Sequence, residues 1–256
     1  MRQLETPVSF ASFGLVPHPH WRLRERPRKG CMLISDKLHE LRDAIDEIDT
    51  EILQLIANRM TLSDAVIAAK KGETAFRPGR EAALVRRLAA MDSDMEPAVM
   101  LGIWRQIMAA SLTRQNKDLI FAVHQAALPA AIWHMGSALS ARHCDNIDSV
   151  LALLNSAGCR YGLVPATKDD SALAQAICAT PKIYIMARTP LFPIPTVTPA
   201  YILAAYLPDE SGDDISLFAV LQADDSLKIA AIDGYFDDYV PEDCGQTARL
   251  LGIYAR

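Results

Sequence analysis

From Ser35 to Lys71 the chain contains neither proline nor glycine. About 35 residues without a breaker give about 50 Å of α-helix at 1.5 Å per residue. Ser35 or Asp36 can cap its start, and Gly72 marks its end. A helix of this length exceeds the ordinary globular range and predicts an intertwined partner. With Leu41 at zero and about 100° per residue, Ile45, Ile48, Ile52, Leu55, Leu62 and Val66 fall within about 60° of it. On the same apolar line, at about 0° and about 20°, fall Arg59 and Lys70. Arg42 falls about 100° to one side.

A permanent cation on a face meant for burial costs several kcal/mol unless it is paired. Two readings follow from the pattern. Arg59 pairs with an internal carboxylate or reaches water from the helix edge. Alternatively, Arg59 and Lys70, about 16 Å apart along the backbone, converge on a bound anion. Two further helices come next. Pro78 opens one through "GREAALVRRLAAM", with Arg80 and Glu81 in its first turn and an end near Asp92. Pro97 opens the other, "PAVMLGIWRQIMAASLTRQNK". On that helix Met100, Trp104, Met108, Ser111 and Gln115 form one stripe that turns polar at its end. Ser111 and Gln115 are either a solvated terminus or the remaining wall of a polar pocket around Arg59 and Lys70.

Residues 36–117 resemble the all-helical class of chorismate mutase. The resemblance rests on "LHELRDAIDEIDTEILQLIANRMTLSDAVIAAKK", "RPGREAALVRRL" and "IMAASLTRQ", with the charged positions at the family's separations. It implies a homodimer of three-helix protomers joined through the long first helix, without a cofactor or a metal. Chorismate would rearrange to prephenate by a pericyclic shift, as an isomerase step of aromatic amino acid biosynthesis. Such a shift needs grip and electrostatics rather than a nucleophile. By resemblance, Arg59 and the crossing Arg42 hold the two carboxylates, as suits the planar guanidinium fork. Lys70 and Gln115 donate to the ether oxygen, and Glu81 binds the ring hydroxyl. Arg80 and Ser111 support the substrate at the rim. One position departs from the family: many members carry an acid three residues before the Arg–Glu pair, where this chain has Arg77. Arg77 is read as an exposed loop residue or an additional anion contact.

After Lys117 the pattern changes. "KDLIFAV", "RYGLVPA", "KIYIMAR", "YILAAYLP", "ISLFAVLQ" and "LKIAAIDGYF" read as strands, and "NIDSVLALLNSAG" and "DDSALAQAICATP" as helices. An α/β layer with an antiparallel final pair is expected. The fold class is thus α plus α/β: a disordered tail at 1–35, the helical domain at 36–117, and a smaller α/β domain at 118–256. "SVLALLNSAGCRYGLVPATKDD" faintly resembles prephenate dehydratase, and "ISLFAVLQ" does so weakly. The dehydratase's Gly-Thr-Phe-Ser and Thr-Arg-Phe segments are missing; "AVHQAALPAAIW" stands where the first is expected. The C-terminal half is therefore read as a degenerate dehydratase-like domain, an effector domain for an aromatic amino acid, or a second catalytic unit. His134, His143 and Cys144 lack a defined third partner and read as structural or surface residues. Asp233, Asp237 and Asp238 miss calcium-loop spacing, and His18 and His20 form a lone HxH in the tail.

The net charge of -5, with no basic block after residue 30, argues against a nucleic-acid partner. No apolar run reaches the roughly 18 residues of a membrane span. Five cysteines without CxxC spacing fit a cytoplasmic protein. A start at Met32 is the alternative to Met1. The rival readings of function are a non-catalytic mutase-like dimer that binds an anion or a partner, and a bifunctional mutase–dehydratase.

Overall fold

A computed structural model describes residues 29–69, 76–91, 94–167, 170–222, 227–237 and 248–256. They fall into two compact units, divided within the first helix between Gln54 and Leu55.

Helix α1 runs from Lys29 to Ala69. It begins upstream of Ser35 and Asp36, which therefore lie inside it rather than at its cap. No proline follows Lys29 to stop the helix, and the charged residues after Ser35 tolerate a helical interior. In the first unit, Leu38, Leu41, Ile45, Ile48 and Ile52 are 46–56 % exposed. Among the described residues nothing covers the apolar line of this segment.

The second unit begins with the rest of α1, where Leu55, Leu62 and Val66 are also exposed. Helix α2 spans Pro78–Ala89 and helix α3 spans Pro97–Gln115, each with proline in its first turn. There the missing N–H is one the helix would leave unbonded in any case. The remaining elements are β1 (Phe121–His124), α4 (Leu128–Met135), β2 (Ala141–Cys144), α5 (Ile147–Asn155), β3 (Tyr161–Pro165) and α6 (Ser171–Ala179). They are followed by β4 (Tyr184–Thr189), β5 (Ala200–Ala204), β6 (Asp214–Leu221), β7 (Leu227–Asp233) and β8 (Arg249–Ala255).

The eight strands form one mixed sheet in the order β2-β1-β3-β5-β4-β8-β6-β7. β1 pairs in parallel with β2 and β3, and β4 with β8. The other pairings are antiparallel, including the β6–β7 pair expected from the sequence. Strands β2 and β8 and helix α4 are additions to that reading. "ARHC" has no apolar alternation, Gly252 interrupts "RLLGIYA", and the short α4 contains Pro129.

Period-two alternation sends the strand side chains to two cores. Phe121, Val123, Tyr161, Leu163 and Ile202 face one of them, packed with Ala109 and Leu112 of α3 and Ala130, Ala131 and Met135 of α4. Ala122, Val164, Tyr201 and Leu203 face the other, under Val150 and Leu154 of α5 and Leu173 and Ile177 of α6. Gly162 is required there, because a Cβ would stand 2.5 Å from Val150 Cγ1. Helices α2 and α3 share a third cluster through Val85, Met100, Leu101 and Met108. Helix α3 is thus a core element of the same compact unit as the sheet.

Candidate functional site

The C-terminal part of α1 lies against α3, and polar contacts set the register. Arg59 Nη1 donates to Ser111 Oγ at 3.0 Å. One turn further along both helices, Gln115 Nε2 donates to Ser63 Oγ at 2.6 Å. An ion pair between Arg114 and Asp64, at 2.8 Å, continues the same seam. Ser111 is buried and its hydroxyl also reaches the Ile107 carbonyl at 3.0 Å and Met60 Sδ at 3.1 Å. A hydroxyl has one proton, so Ser111 accepts from Arg59 while donating back to its own helix.

Arg59 is half-buried and has no ion pair among the described residues. Burial pulls its pKa below the usual guanidinium value. The Glu81 carboxylate opposes that shift and the Arg80 guanidinium adds to it. The first turn of α2 is therefore within electrostatic range of Arg59. Arg80 is exposed, whereas Glu81 is half-buried.

Glu81 is held from the far side of α3's sequence by a residue the stripe did not single out. Arg105 Nη2 donates to Glu81 Oε2 at 2.6 Å. Arg105 is buried and also contacts the ring of His134 on α4, at 3.2 Å to Nε2, and Met108 Sδ. His134 Nδ1 lies 3.0 Å from Thr189 Oγ1 on β4. Burial, and then Arg105, depress the His134 pKa well below its ordinary value. A neutral ring has one acceptor nitrogen and one N–H, and it lies within hydrogen-bond distance of both Arg105 and Thr189. His134 is thus a structural residue with two polar partners. With Phe76, Val85 and Trp133, these polar groups line a small cleft of about 40 Å³. Arg59, Ser111 and Gln115 are not among its described walls.

Of the residues singled out from the sequence, Arg59, Ser111 and Gln115 come together on α1 and α3, with the charges of Arg80 and Glu81 nearby. Arg42 lies on α1 in the other compact unit and is exposed. Lys70 lies outside the described residues, as do His18, His20, Asp238 and Cys244. Asp233 forms an ion pair with Arg256 at 3.2 Å. Among the described residues no group of three or more His, Cys, Asp or Glu side chains could hold a metal ion, and no helix is long and apolar enough to cross a membrane. Ser63 and Arg105 were not legible as partners. The one trace in the sequence is Arg105 itself, a charge inside the apolar run "MLGIWRQIM".

Fold and site define a helical, cationic cluster joined in one compact unit to a mixed-sheet α/β layer. Residues 41–116 match the model of the chorismate mutase type II family. A bifunctional chorismate mutase/prephenate dehydratase of Neisseria gonorrhoeae is 28 % identical over 136 residues, which is 52 % of this chain and 38 % of that protein. That alignment is longer than the family match, so part of it lies outside residues 41–116. This chain spans well under half the length of that relative. A solved structure described as GqqA, a novel type of quorum quenching acylase, aligns with a TM-score of 0.40 at 13 % identity. It covers 54 % of this chain and 95 % of its own.

Proposed function

We propose that this protein is a chorismate mutase that works as a homodimer and rearranges chorismate to prephenate. The observation that carries this reading is the joining of Arg59 with Ser111, and of Gln115 with Ser63, inside the stretch that matches the mutase family. Arg59 is a half-buried guanidinium that touches no carboxylate among the described residues. A substrate carboxylate supplies that partner, and Ser111 fixes the fork that receives it.

The other residues divide the remaining work. Gln115 has two amide hydrogens. Ser63 takes one and fixes the plane, leaving the second to donate, with Lys70, to the ether oxygen as the C–O bond breaks. Glu81 is tied to Arg105 through Oε2, and no hydrogen bond to Oε1 occurs among the described residues. Oε1 accepts the ring hydroxyl. Arg80 is an exposed cation at the rim. The reaction forms no covalent intermediate, so compact orientation of the substrate and positive charge at the developing enolate account for the rate.

Arg42 completes the site from the second copy. On an α-helix its separation from Arg59 is about 25 Å, too far for both to grip one small molecule from the same chain. The uncovered apolar line of α1 is the surface through which the copies pair. Purified protein is expected to consume chorismate, followed by ultraviolet absorbance, with prephenate as the product. Arg59→Ala, folded by circular dichroism, is expected to lose at least about 100-fold in kcat/KM. A folded wild type without turnover would leave the family likeness as a scaffold only. Phenylpyruvate as the product would point instead to a second, dehydratase activity.

A further inference from the structure

The first turn of α2, which carries Arg80 and Glu81, is assembled by the C-terminal half of the chain. Its N-cap residue is Arg77, which makes no capping hydrogen bond with its own side chain. The carboxylate of Asp209 does this instead, accepting from the backbone N–H of Gly79 at 3.2 Å and of Arg80 at 3.0 Å. Arg77 Nη2 lies 3.3 Å from Asp209 Oδ2. A Cβ on Gly79 would stand 2.0 Å from the Asp209 carbonyl oxygen, so the two backbones approach as closely as glycine permits. On the other flank, Phe76 is 1 % exposed and packs edge-on against His134 and Tyr161. About two turns along, Arg86 donates to Ser211 and to the carbonyls of Asp213 and Arg256.

These contacts give Arg77 a role. An acid at position 77 would be a local helix cap, and the resemblance to the mutase family implies one there. Here the charges are exchanged: the cation sits at the N-cap and the acid arrives from the loop after β5. A carboxylate at this point satisfies free N–H groups and meets the positive end of the helix dipole. We infer that Asp209 is a positioning residue for the mutase site. It replaces the missing acid at position 77, and through it residues 118–256 become part of the machinery that aims Arg80 and Glu81. This inference rests on the mutase reading of the site.

The test compares wild type, Asp209→Ala, and the double variant Arg77→Asp/Asp209→Ala, which returns an acid to the N-cap. Each is measured for kcat and KM with chorismate, for thermal unfolding, and for amide exchange at Gly79 and Arg80. The account expects folded D209A to lose about 10- to 100-fold in kcat/KM, since small misplacements of a positioned group have effects of that order. The Gly79 and Arg80 amides lose protection in D209A. The double variant recovers most of both quantities. Should D209A fail to fold, Asp209→Asn removes the charge, keeps the shape, and reads the same quantities. An active wild type beside a folded D209A within twofold of it overturns the inference. So does a double variant that regains amide protection without regaining rate. A wild type without turnover overturns the mutase reading, and the amide exchange still reports whether Asp209 caps α2.

Discussion

Replacing Ile48 by Ala is expected to weaken the proposed self-association by an amount that follows from the exposure of α1. Ile48 is 55 % exposed. Burying a whole Ile side chain is worth about 1.5–3 kcal/mol, so covering the uncovered half is worth ~1 kcal/mol. A two-fold interface contains the residue twice, giving ~2 kcal/mol per dimer and a dissociation constant about 30-fold higher. Ile48→Asp goes further, because two carboxylates enter an apolar seam without partners, at several kcal/mol. Sedimentation velocity across the micromolar range, with specific activity at each concentration, is the assay. The wild type is expected to sediment as a dimer, I48A to dissociate on dilution, and I48D to be monomeric. If Arg42 acts in trans as proposed, activity should follow the dimer fraction. A wild-type monomer with full specific activity at every concentration would refute both the interface and the shared site.

Two pH effects follow from the site. His134 is neutral in the fold, while an unfolded imidazole titrates near 6.5. Below about 6.5 the unfolded chain therefore binds a proton that the folded chain refuses. Stability falls as pH drops from there toward the folded-state pKa, by at most ~1.4 kcal/mol per pH unit, with no contribution above that window. Denaturant titrations of wild type and His134→Gln at several pH values should show the variant with the shallower acid slope; equal slopes would exclude a neutral buried ring. Gln115 donates at any pH, so kcat/KM should stay level between about pH 6 and 8. A steep loss across that range with the protein folded would remove Gln115 from the ether oxygen.

Arg59 was legible because a charge in an apolar line has few physical explanations, and the helices were legible through their length and their Pro-led first turns. Whether Arg59 found an internal carboxylate was open from the pattern. The fold answers with a serine at 3.0 Å and no ion pair among the described residues. What stayed hidden depends on distance along the chain. Nothing local to "FRPGRE" says that Asp209 will cap the helix, and nothing near Glu81 says that Arg105 will hold it. Strand β2 was missed because its edge position exposes Arg142 and His143 and erases the alternation. The line of α1 was legible as apolar, and no described residue covers it.

The most direct test of a shared mutase site mixes two impaired variants, Arg42→Ala and Arg59→Ala, under conditions that exchange subunits. In a mixed dimer one site has lost both arginines and the other has both intact. Random exchange places half the chains in mixed dimers, so the rate of chorismate conversion should rise to roughly a quarter of wild type. A rate that stays at the mean of the two parents, with exchange verified, would contradict the claim that Arg42 and Arg59 meet across the dimer.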